Sequence, residues 1–145
     1  MMFHISEKPF EKLAGTVCPA PYVVITISSL TGRKSVDIGF KARIDLGADI
    51  TCIPRNQAEK LMPLSHGKPV LIRGHDGSVT KGWTYLMTVS IHSYPDEEQV
   101  KSYRPERGVL LTDSDIGLIG MDIIKYCKLR LDGASQTFSM ECTNQ

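Results

Sequence analysis

Apolar and polar positions alternate most clearly between Val36 and Ile44. There Val36, Ile38, Phe40, Ala42 and Ile44 interleave with Asp37, Gly39, Lys41 and Arg43. Period two of this kind predicts a strand with one face on a core. Before it, Tyr22 to Ile27 is a β-branched run that starts cleanly after Pro19 and Pro21, a second strand. A third alternation runs back through Trp83, Tyr85, Met87, Val89 and Ile91. It is separated from Val70-Leu71-Ile72 by Gly74-His75-Asp76-Gly77-Ser78, and Asp-Gly between two such runs predicts a hairpin. Val109 to Thr112 and Gly117 to Ile119 read as short strands. Leu129 and Leu131, the Asp132-Gly133 turn, and Phe138 with Met140 read as a closing hairpin. Helical pattern is scarce. Arg55 to Leu61 predicts one or two turns after Pro54, and Met121 to Cys127 predicts a short helix with Asp122 near its positive end. Pro95 to Arg107 reads as a solvated, charged connection. The chain is therefore expected to be mostly β with two short helices.

Composition narrows the possibilities. At 145 residues the chain has a one-domain length. A formal net charge of +1 gives no electrostatic reason to expect nucleic acid or an anionic membrane as partner. No apolar run approaches the roughly 18 residues of a membrane span. The first residues mix charges of both signs without an apolar stretch, which argues against a secretory signal. Cys18, Cys52, Cys127 and Cys142 show no metal-ligand spacing, and reduced, packed thiols in a cytoplasmic protein are the expectation. No metal and no cofactor are expected.

The chemistry concentrates where the long alternation ends. Ile44-Asp45-Leu46-Gly47-Ala48-Asp49 puts a carboxylate at a strand end and follows it with residues of little bulk. Such a carboxylate can approach an identical group from another copy, the arrangement an aspartic peptidase needs, and the chain holds one such half. A second Asp-x-Gly, Asp37-Ile38-Gly39, lies mid-strand before bulky Phe40 and is set aside.

In order along the chain, Ile44 to Asp49 with Ile53-Pro54, the Asp76-Gly77 hairpin, and Gly117-Leu118-Ile119-Gly120-Met121-Asp122-Ile123-Ile124 resemble the retropepsin-like aspartic peptidases. The resemblance covers roughly Pro19 to Met140, and its ending looks more like the bacterial members than the viral ones. It implies a closed β-barrel with a flap hairpin and a short C-terminal helix, one lobe per chain. It further implies residues 19–145 as the peptidase domain after an extension at 1–18, and a homodimer with one Asp45 from each subunit in a catalytic dyad. The implied substrate is an extended polypeptide. Two such carboxyls share a proton and titrate as a coupled pair, so the dyad can activate water and polarise the scissile carbonyl. Carried over by position, Leu46, Gly47 and Ala48 form the active-site loop. Asp49, with His75, Asp76 and Gly77 at the flap tip, meets substrate.

Plainer roles stand beside these. Asp45 could accept local amides, Asp49 could be structural, His75 and Asp76 suit any tight turn, and Asp122 suits a helix start. Two positions depart from the family. Leu46 replaces the usual Thr or Ser, whose hydroxyl bonds across the dimer axis, which keeps open a weakly active or inactive domain retained for dimerisation or peptide binding. Met121 replaces a viral arginine that pairs with the aspartate matching Asp49. A different β-barrel binding module is the remaining alternative.

Overall fold

The computed structural model describes residues 3–74 and 76–145. Twelve strands and two short helices follow in the order β1 (Phe3–Pro9), β2 (Tyr22–Ser28), β3 (Ser35–Ile44), β4 (Cys52–Pro54), α1 (Arg55–Ala58), β5 (Ser65–Arg73), β6 (Val79–Leu86), β7 (Thr88–His92), β8 (Val100–Tyr103), β9 (Leu110–Thr112), β10 (Gly117–Ile119), α2 (Met121–Ile124), β11 (Cys127–Asp132) and β12 (Thr137–Cys142). A 3-10 turn, Glu59–Leu61, extends α1, so the turns expected from Arg55 to Leu61 are present. The fold is mostly β, as the alternation predicts.

Seven strands form the main sheet in the order β8-β7-β2-β3-β10-β4-β9. The terminal strands make a second sheet, β1-β12-β11, and β5-β6 is a separate hairpin. Single bridges stitch these together, Tyr85 to Val109 between hairpin and main sheet, and Ile5 to Tyr94 between the terminal and main sheets. One continuous core lies between them. It includes Val23, Ile25, Ile27, Phe40, Ala42, Ile53, Met87, Val89, Ile91, Ile119, Ile123, Phe138 and Met140, all buried. Fully burying each large apolar side chain contributes about 1.5–3 kcal/mol relative to exposure.

Several elements differ from the pattern-based expectation, each for a local reason. Ile38 faces solvent at 83% exposure although the alternation puts it inward. The β2–β3 register jumps there: Ile25 pairs with Phe40 but Ile27 with Val36, so β3 carries surplus residues that bulge outward. The run from Trp83 to Ile91 is two strands, split at Met87, because β6 serves the hairpin and β7 the main sheet. The connection after Pro95 contains β8, whose Tyr103 is buried and donates its hydroxyl to the Thr143 carbonyl at 2.7 Å. α2 stops at Ile124, and Cys127 already pairs with Cys142 in the closing hairpin.

Residues 3–9, within the stretch taken as an extension, are a strand of the terminal sheet, with Phe3 and Ile5 in the core. Within this strand, Lys8 is buried and donates to the Tyr22 carbonyl at 2.7 Å. Glu11 pairs with Lys8 at 3.3 Å and with Lys41 of β3, tying the N-terminal segment to the main sheet.

Candidate active site

β3 delivers Asp45 because its ladder continues one residue past the strand. β10 runs parallel to β3, with Gly117 opposite Ala42 and Ile119 opposite Ile44, and the Ile119 carbonyl then accepts the Asp45 amide at 3.0 Å. The chain turns at once, with Ala48 N–H donating to the Asp45 carbonyl at 3.3 Å. The carboxylate remains partly exposed. Its Oδ1 accepts the Gly47 amide at 2.9 Å, and its Oδ2 lies 3.7 Å from the Arg43 guanidinium. Acceptance of a local amide and partial exposure to solvent thus occur together. Gly47 does not adopt a left-handed backbone; a Cβ there would stand 3.3 Å from Asp45 Oδ1, so a side chain would crowd the carboxylate.

The loop is clamped from behind by α2. Met121 N–H donates to the Ala48 carbonyl at 2.8 Å, and Asp122 N–H to that of Asp49 at 3.3 Å. Gly120 permits this approach, because a Cβ there would fall 2.8 Å from the Ala48 carbonyl oxygen and 2.9 Å from the Ile50 carbonyl carbon. The clamp is completed by a residue that sequence reasoning passed over. Thr51, fully buried, donates its hydroxyl to Asp122 Oδ1 at 2.7 Å and its amide to Oδ2 at 3.0 Å, while its Oγ1 accepts the Gly120 amide at 3.1 Å. Asp122 therefore does more than start a helix. It locks α2 onto the loop that carries Asp45. No local motif signals this pair, since the partners lie 71 positions apart. A polar hydroxyl between Ile50 and Ile53 is the only hint in the sequence.

The remaining predicted residues divide. Leu46 is 54% exposed, an apolar side chain in solvent beside the carboxylate. Asp49 is exposed, and no hydrogen bond or ion pair among the described residues engages its carboxylate; Met121, in the position of the viral arginine, offers it none. Asp49, Ile50, Pro69, Val70, Leu71, Met121 and Asp122 line part of a cleft of about 750 Å³ between loop, hairpin and α2. Cys52 lies behind the loop. Burial, with the charges of Asp122 and Asp45, pushes its thiol up to about 11, so it is neutral at physiological pH.

The β5–β6 hairpin carries Asp76 and Gly77 at its tip; His75, expected to meet substrate, lies outside the described residues. Gly77 has φ +82°, a conformation that favours glycine, and its amide donates to the Gly74 carbonyl at 3.1 Å. Asp76 Oδ1 accepts the Ser78 amide at 2.9 Å, and hydrogen bonding from the Ser78 side chain, then from its amide, holds that carboxyl below its ordinary range. Turn chemistry thus accounts for Asp76. Lower down, where the ladder shifts between His66 and Pro69, the buried Thr84 hydroxyl accepts Lys68 N–H at 2.8 Å and donates to its carbonyl at 3.0 Å. That repair stiffens the base of the hairpin.

Among the described residues no group of three His, Cys, Asp or Glu side chains is placed to hold a metal ion, and no helix is long and apolar enough to cross a membrane. Among curated proteins none matches the chain. Of the solved structures, the EIAV protease complexed with the inhibitor HBY-793 is similar at 18% identity and a TM-score of 0.44, over 79% of this chain and 92% of that one. The family described as retroviral aspartyl protease matches residues 19–132, a span that runs from the entry to β2, through the Asp45 loop and its α2 clamp, to the end of β11. The chain belongs to the retroviral aspartyl protease family.

Proposed function

We propose that this protein is an aspartic endopeptidase that works as a homodimer, with one Asp45 from each subunit in the catalytic dyad. The observation that carries this reading is a partly exposed strand-end carboxylate on a loop held rigidly from behind and left open in front. In the dimer the two Asp45 groups share one proton. The ionised one takes a proton from a bound water, the protonated one donates to the carbonyl oxygen of the scissile bond, and water attacks directly. Leu46 supports association in its own way. An apolar side chain exposed beside the carboxylate is covered when the same loop of a second copy meets it.

In this reading the β5–β6 hairpin is the flap. It closes over an extended peptide and excludes water, with His75, Asp76 and Gly77 at its tip. Asp49, whose carboxylate has no partner among the described residues, meets the peptide main chain, and the peptide lies as an added strand with alternate side chains in pockets. Residues 19–145 form the peptidase domain, residues 1–18 an extension whose strand completes the terminal sheet, and the setting is cytoplasmic.

The second reading, a domain kept for dimerisation or peptide binding, rests on the same Leu46, which supplies no hydroxyl to tie the two loops together. Peptide cleavage by the wild type and by Asp45→Asn separates the two. The proposal expects cleavage that disappears in Asp45→Asn while the thermal unfolding profile is kept. Turnover retained in that variant removes Asp45 from the mechanism, and a dimeric wild type without turnover favours the second reading.

A further inference from the structure

Arg43 is a charged residue that the reaction outlined above leaves without a task. It stands two positions before Asp45 on β3, so both side chains project from the same face of the strand. Tyr22 of β2 and Leu118 of β10 flank it in register on either side. Its guanidinium reaches Asp45 Oδ2 at 3.7 Å, and it also lines a pocket of about 270 Å³ with Thr16, Tyr22, Thr112, Ser114, Ile116 and Leu118. Arg43 thus stands between this pocket and the Asp45 carboxylate. Ile116 and Leu118 give it an apolar wall, Thr16, Tyr22, Thr112 and Ser114 are its hydroxyl-bearing residues, and Arg43 gives it a positive charge.

We infer that Arg43 is a specificity-determining residue, selecting an acidic side chain, aspartate or glutamate, next to the peptide bond that is cut. The inference rests on the proposed endopeptidase reading and deepens it. Guanidinium is the side chain best suited to grip a carboxylate through paired N–H donors. Arg43 is free to do so, because its contact with Asp45 uses one nitrogen at long range and its side chain is 45% exposed. The charge balance points the same way. A dyad sharing one proton carries a single negative charge, whereas two subunits bring two Arg43 cations, so the centre accommodates another anion. No acid lines the pocket, and Asp113, between the lining residues Thr112 and Ser114 in sequence, pairs with Arg55 at 3.2 Å. Asp49 and Asp122 border the separate cleft on the α2 side.

The test is cleavage of an equimolar set of synthetic peptides that vary the residues on both sides of one bond, read by mass spectrometry as relative kcat/KM. Wild type, Arg43→Leu and Arg43→Gln are compared, each checked for folding by circular dichroism. The wild type is expected to favour acidic over basic residues at one flanking position by at least about tenfold, the scale of one charge-assisted contact. Both variants are expected to lose that preference while still cutting peptides with apolar residues there. An unchanged preference in a folded variant, or a wild type that cuts without favouring acids, overturns this inference alone. A wild type that cuts nothing takes the endopeptidase reading down with it.

Discussion

At the scale of the residue, the two carboxylates of most consequence are Asp45 and Asp122, and they were unequally visible. Asp45 announces itself by its place, the end of a long alternation followed by small residues. Asp122 looks like an ordinary helix-start acid until the fold brings Thr51 to it from the far side of the loop. Both Thr51 donors end on that carboxylate, and the hydroxyl also accepts the Gly120 amide, so every polar atom in the buried cluster is satisfied. Thr51→Val keeps the shape of the side chain and removes the hydroxyl from the network, stranding the Gly120 amide. It is expected to lower stability by about 1–3 kcal/mol, measured by urea unfolding. Peptide cleavage should fall as the Asp45 loop loosens. A variant as stable as the wild type would show that the Thr51 hydroxyl contributes nothing to the clamp.

Among the elements, alternation revealed strands well and sheet membership poorly. β2, β3, β10 and the closing hairpin stand where the pattern puts them, because each has one face on the core. The pattern failed at Ile38, where a register jump in pairing turned an apolar residue outward, and at Met87, where one apparent strand serves two sheets. It also missed β1, whose partner β12 is distant in sequence, and β8, which pairs with the preceding strand β7 but lies in a charged stretch without clear alternation. The join between N-terminal segment and main sheet yields a pH prediction. Burial alone would raise the Glu11 carboxyl, but the Lys41 hydrogen bond and the charges of Lys8 and Lys41 hold it below its ordinary 4.5. A carboxyl depressed in the folded state stabilises fully above its unfolded value, and that contribution fades as pH falls through the folded one. The stability difference between wild type and Glu11→Gln should therefore be present at pH 7 and shrink on acidification below about pH 4, by denaturant unfolding at each pH. A difference that grows as pH falls would contradict the assignment.

For the whole molecule, family membership was legible because three short features occur in order at workable spacing, and the match over residues 19–132 bears this out. What the sequence could not convey is how the loop's exposed front is finished. Leu46 stands in solvent on the single chain, so Leu46→Thr should change the stability of an isolated subunit by less than about 0.5 kcal/mol. In the pair, a hydroxyl at that place can bond across the axis, so the same substitution should tighten association or raise turnover, by sedimentation and by kinetics. No change in either would mean that leucine is fully accommodated at the meeting of the two loops.

The claim beneath all of this is that two subunits each supply one Asp45 to a single reacting centre. Mixing wild type with Asp45→Asn at constant total concentration, after full subunit exchange, tests it most directly. If a mixed pair is inert, an equal mixture retains about one quarter of the wild-type cleavage rate, and activity follows the square of the wild-type fraction. Activity that falls only to about one half, in proportion to the wild-type fraction, would mean that each chain works alone and would contradict the shared dyad.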